Sequence, residues 1–88
     1  MASDVDFDEL EPTALERADI GNSLRTSREE AGMSVEELAD RLNLRPSFIR
    51  AVENGDSDGR MAWVYEKAHI RSMFAVFGIA SFPLLDPQ

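Results

Sequence analysis

Few residues in this sequence could do chemistry, and their types narrow what that chemistry is. His69 is the single imidazole and cysteine is absent, so thiolate chemistry and a disulfide framework are excluded, and a zinc site would need carboxylates for its remaining ligands. No serine stands with a histidine and an acid at a motif spacing, and no glycine-rich loop is built to cradle phosphate. The segment Gly55-Asp56-Ser57-Asp58-Gly59 has the look of a small calcium loop but lacks the full ligand spacing and the terminal glutamate, so it reads as a turn. The expectation is a protein that is not an enzyme, with no metal, no cofactor and no small-molecule substrate.

Two groups of residues remain that could recognise a macromolecule. Arg45, Ser47 and Arg50 fall at the start of a short helix, where they could approach DNA phosphates or base edges. His69 and Met73 lie one turn apart on a longer helix that also carries Tyr65 and Val76. Charge weighs between the two. The 88 residues carry 17 acids against 9 bases, a net charge of −8, whereas a surface that neutralises phosphates clusters lysine and arginine. Glu36, Glu37 and Asp40 would moreover stand close to any phosphates that Arg45 and Arg50 reached.

The elements that must position these groups are helices. Residues 1–17 hold six acids and one arginine, with Val5, Phe7 and Leu10 as the few large apolar residues between Met1 and Pro12; they read as an acidic mobile arm. Thr13 with Glu16 makes a capping box for an early turn, but the spacing favours a main helix from about Asp19 to Ala31, with Ile20, Leu24 and Ala31 on one face and Gly32 as its stop. Ser34 and Glu37 form a second capping box, followed by the stripe Val35, Leu38, Ala39, Leu42. After Asn43-Leu44-Arg45, Pro46 opens a third helix to about Glu53, its core side Phe48 or Ile49 with Val52, and Asn54-Gly55 ends it. Two helices joined by so short a turn make a helix-turn-helix unit.

A last, longer helix is expected over about 61–77, ended by Gly78. At about 100° per residue, Trp63, Ile70, Phe74 and Phe77 form one stripe, and Val64, Tyr65, Ala68, Ala75 and Val76 fall nearly opposite. One stripe can face the domain's own core. The other needs cover from the C-terminal segment, through Phe82, Leu84 and Leu85, or from another chain, including a second copy in a homodimer. The acidic start lacks the basic and apolar runs of a signal peptide, and the weakly polar stretch from Met73 to Leu85 is shorter than the roughly 20 residues of a spanning helix. A cytoplasmic domain is the reading.

The run Ile20-Gly21-Asn22-Ser23-Leu24-Arg25, then Arg28-Glu29-Glu30-Ala31-Gly32-Met33-Ser34 and Glu36-Glu37-Leu38-Ala39, resembles the phage-repressor (XRE-like) helix-turn-helix superfamily. Repressors of this type often place a polar residue where this chain has Val35. The continuation Leu44-Arg45-Pro46-Ser47-Phe48-Ile49-Arg50-Ala51-Val52-Glu53-Asn54-Gly55-Asp56, with Val64-Tyr65, Ile70-Arg71-Ser72 and Gly78, is similar to the cytoplasmic domain of the RodZ family of bacterial cell-shape proteins, over about residues 20–80. That resemblance implies a domain binding the actin-like protein MreB instead of DNA, tethered to the inner face of the membrane by a helix beyond Gln88 in a longer parent protein. Carried over residue by residue, its contacts fall on His69 and Met73, where the family has other aromatic residues; the proline the family places before the last helix is absent from Gly59-Arg60-Met61.

The sequence therefore leads to an all-α, compact four- to five-helix domain containing a helix-turn-helix, with a helix-turn-helix domain over 18–88 behind the acidic arm. Its expected role is protein interaction through Tyr65, His69, Met73 and Val76, with an MreB-like filament protein as partner. The alternative is an XRE-type sequence-specific DNA-binding regulator using Arg45, Ser47 and Arg50.

Overall fold

The computed structural model describes residues 11–57, 59, 61–79 and 85. Four helices account for its regular structure: α1 Ala14–Glu30, α2 Val35–Leu42, α3 Pro46–Glu53 and α4 Trp63–Val76. The all-α expectation holds, with four helices and no strand among the described residues. Residues 1–10 of the acidic arm, and the Phe82 and Leu84 cover expected over α4, lie outside the described residues.

Helix α1 departs from the expected boundary. It starts at Ala14, not near Asp19, because the Thr13–Glu16 capping box opens the main helix itself. Thr13 Oγ1 accepts from the Glu16 amide at 3.1 Å, and Glu16 Oε1 accepts from the Thr13 amide at 2.8 Å. Nothing between Leu15 and Asp19 breaks the helix once it is nucleated, so residues 14–17 belong to the domain and not to the arm. The other end follows the sequence. Gly32 takes a left-handed φ of 68°, which only glycine adopts without cost, and lets the Gly32 and Met33 amides donate back to the Glu29 and Arg28 carbonyls, the Schellman closure. Ala31 is the exposed C-cap, not part of the buried face.

Helix α2 begins on the expected box: Ser34 Oγ accepts from the Glu37 amide at 3.0 Å and Glu37 Oε1 accepts from the Ser34 amide at 2.8 Å. Asn43 ends it in the left-handed region, φ 57°, a conformation asparagine tolerates better than other side chains. Pro46 stands at the first turn of α3, where its missing amide costs nothing. Helix α4 starts at Trp63, two residues later than expected, after an Ala62 N-cap that supplies no side-chain bond.

The core draws on every helix: Ile20 and Leu24 from α1, Leu38 and Ala39 from α2, Phe48, Ile49 and Val52 from α3, Trp63, Ile70, Met73 and Phe74 from α4, and Leu85 beyond them. Both Phe48 and Ile49 are inside. Burying each such large side chain contributes about 1.5–3 kcal/mol, which is how helices of eight residues, too short to persist alone, are held. Gly21 lets α1 and α3 approach: a Cβ there would stand 2.5 Å from the Val52 carbonyl oxygen and 2.6 Å from that of Glu53.

Arginine–glutamate pairs tie the helices from within. Arg28 meets Glu53 in a two-pronged contact, Nε to Oε2 at 2.6 Å and Nη2 to Oε1 at 2.9 Å, and also donates to the Met33 carbonyl at 2.9 Å. Arg25 reaches the Glu53 carbonyl at 2.9 Å and Asn54 Oδ1 at 3.0 Å, with its Nε 3.6 Å from the Glu53 carboxylate. Arg17 spans from α1 to α4, donating to both oxygens of the buried Glu66 at 3.3 Å while its guanidinium lies 5.4 Å from the Trp63 ring. Burying a carboxylate is tolerated only with such partners.

Candidate interaction surface

Helix α4 is two-sided, as its apolar periodicity requires. Trp63, Ile70 and Phe74 are buried, while Tyr65, Ala68 and Ala75 are exposed and Val64 and Val76 are half-buried. The four residues expected to meet a partner are separated by this geometry. Tyr65 is 65% exposed, one of two large apolar side chains so open among the described residues; the other is Leu15 of α1, at 84%. His69 is half-buried, its ring edge-on to Phe48 at 5.9 Å between centroids and 85° between planes. It therefore ties α4 to α3 as well as showing an edge to solvent.

Met73 is corrected outright: it is 0% exposed, a core residue that cannot meet a partner. The physical reason is helical phase. Met73 stands three residues after Ile70 and one before Phe74, at the centre of the buried stripe, and an unbranched thioether fills an irregular interior readily. Val76 packs partly against the core and, with Met33, Phe77 and Ile79, lines a shallow groove that is edged by Glu30 and Arg41.

The other expected surface is the outer side of α2 and α3. Arg45, Ser47 and Arg50 are all exposed, as the DNA-reading alternative requires. Arg50, however, is ion-paired with Glu36 across the two helices. The hydrogen bond from Arg50 holds the Glu36 carboxyl below the usual carboxylate range, helped by a backbone hydrogen bond. Glu37 is lowered as well, first by the Ser34 amide and then by the Ser34 hydroxyl. Both acids thus stay ionised, and Asp40 on the same helix is exposed beside them in sequence.

Among the described residues no group of three histidine, cysteine, aspartate or glutamate side chains could hold a metal ion. Asp58 of the calcium-like loop lies outside them. None of the described helices is long and apolar enough to cross a membrane.

Sequence reasoning missed Glu53, Glu66 and their arginines. A signal was present: Arg17, Ile20, Leu24 and Arg28 share one face of α1 at helical spacing, Glu66 falls between Trp63 and Ile70, and Glu53 adjoins Val52. A charged residue in phase with a buried stripe must either turn outward or find a partner inside, and here opposite charges in phase on facing helices found each other.

Two short helices joined at Asn43-Leu44-Arg45, the second packed on α1 and the first braced by α4, define a helix-turn-helix protein. The chain belongs to the helix-turn-helix domain family, whose sequence profile matches residues 23–84, more than half of its length. No solved structure matches the chain.

Proposed function

We propose that this chain is a non-catalytic protein-interaction domain of the RodZ kind, which binds an actin-like filament protein such as MreB through the outer face of α4. Tyr65 carries the reading. A tyrosine left 65% exposed on the helix that otherwise supplies four core residues is a side chain suited to anchor a partner, since aromatic residues contribute strongly to interfaces at low entropic cost. Val76 and the exposed edge of His69 extend the surface along the same helix, and Met73 takes no part. In this reading the domain works on the cytoplasmic side of the membrane, tethered by a segment of a longer parent protein.

Co-sedimentation with polymerised MreB tests it. Saturable binding by the wild-type chain is expected, and Tyr65→Ala should abolish it while leaving the fold intact by circular dichroism. Equal binding by Tyr65→Ala, or none by the wild type, refutes the α4 contact. Tyr65 is a cleaner probe than His69, whose replacement would also remove the contact with Phe48.

A DNA-binding role keeps one observation in its favour, the exposure of Arg45, Ser47 and Arg50 on the helix-turn-helix. It predicts retention of an enriched duplex sequence that disappears with Arg45→Ala. Self-association through α4 would show instead as a mass that rises with concentration.

A further inference from the structure

In a helix-turn-helix the second helix enters the major groove and the first crosses the phosphate backbone, so two features of this architecture attract phosphate: the amides at the start of the first helix and the basic side chains of the second. Both are present here, at the start of α2 and at Arg50 of α3, and adjacent glutamates engage both. Glu37 accepts the Ser34 amide at the start of α2. Glu36, the second residue of α2, accepts from the Arg50 guanidinium.

We infer that Glu36 is an autoinhibitory residue that closes the α2–α3 face to nucleic acid by occupying Arg50 with a carboxylate where a phosphate would otherwise sit. The inference is independent of whether α4 binds a filament.

The contact is a competition between anions. A phosphate approaching Arg50 must displace a carboxylate already bonded to it, and the displaced carboxylate then stands beside the phosphate as a like charge. Both effects oppose binding, and neither depends on base sequence. Lowering of the Glu36 carboxyl by Arg50 keeps that charge in place at neutral pH. The pair is open to water, with side-chain exposures of 52% for Arg50 and 62% for Glu36, so its release need not disturb the core. Glu36→Gln removes the charge and keeps the length, and both residues form helix comparably well.

The test is binding of the 88-residue chain to a short labelled DNA duplex of random sequence, across a range of salt, for wild type, Glu36→Gln, Arg50→Ala and Glu36→Gln/Arg50→Ala. Folding of each is checked by circular dichroism and urea midpoint. The expectation is weak low-salt binding by wild type and binding at least about tenfold tighter by Glu36→Gln, with a log–log salt dependence steeper by about 0.9 because Arg50 then neutralises one more phosphate. The double variant should lose this tighter binding. Two results would each overturn the inference: a folded Glu36→Gln that binds no better than wild type, or a double variant that binds as tightly as Glu36→Gln. Loss of filament binding by Tyr65→Ala would leave every one of these outcomes unchanged, so the two readings stand or fall separately.

Discussion

Arg28–Glu53 and Arg50–Glu36 are both arginine–glutamate pairs that bridge two helices of the same small domain, and their surroundings give them opposite roles. The first lies between α1 and α3, its side chains 13% and 4% exposed, and Arg28 makes a further bond to the Met33 carbonyl. The second lies on the outer side of α2 and α3 with more than half of each side chain open to water. In the interior a charge that loses its partner has no water to turn to, so the pair specifies how α1 and α3 meet. On the surface water replaces a lost partner, so the pair adds little to the fold but decides what can approach. The same chemistry is structural where it is dry and selective where it is wet.

Removing one charge from the inner pair is the most severe way to probe that contrast. Glu53→Ala should destabilise the domain by about 3–5 kcal/mol, the usual consequence of leaving a buried charge unpaired, and urea denaturation would measure it. Replacing both Arg28 and Glu53 with methionine should cost far less, because an apolar pair leaves no buried charge unpaired and Arg25, with its side chain 39% exposed, can turn to water. A double variant as unstable as Glu53→Ala would instead assign the stability to the hydrogen bonds themselves.

Gly21→Ala tests the approach of α1 and α3 that brings the inner pair together. Alanine is the better helix former by about 1 kcal/mol, yet the new methyl would meet two backbone carbonyls that no side-chain motion can clear. A net loss of about 1–3 kcal/mol is expected, again read from urea midpoints; higher stability would show that the helices can part without penalty. Smaller still, Ser34→Ala should cost about 1 kcal/mol by removing the hydroxyl cap of α2, visible as a lowered thermal midpoint.

On the outer side Arg50→Ala should lower the urea midpoint only slightly, in contrast to the inner pair. Acid sharpens the point. Glu36 and Glu37 have carboxyls lowered in the folded chain, so their contribution to stability is fully present above the ordinary glutamate value and is lost as pH falls through the lowered folded values. Carboxyl NMR titration should therefore find both midpoints below that of free glutamate, and raised salt should shift Glu36 back toward it as its pair is screened. An unshifted Glu36 would mean that the pair with Arg50 does not persist in solution. Tyr65→Ala should likewise leave the urea midpoint nearly unchanged while having the largest effect on filament binding.

Much of this protein is decided locally and could therefore be read from the chain. The capping box at Ser34–Glu37, Pro46 at the start of α3, and glycines at 32, 55 and 78 act within a few residues of themselves, so their types and spacing determine where helices start and stop; the Thr13–Glu16 box opens α1 in the same local way, although the spacing favours a start near Asp19. Apolar periodicity likewise separates the two sides of α4, with Tyr65 outward and Trp63, Ile70 and Phe74 inward. What only the tertiary structure decided are the relations between helices distant in sequence: that Met73 is enclosed, that His69 meets Phe48, that Arg17 reaches Glu66, and that one arginine–glutamate pair is buried and another is not. The physical reason is that burial and charge pairing depend on which faces meet, and a helix carries the phase of its own residues but not the identity of what lies opposite.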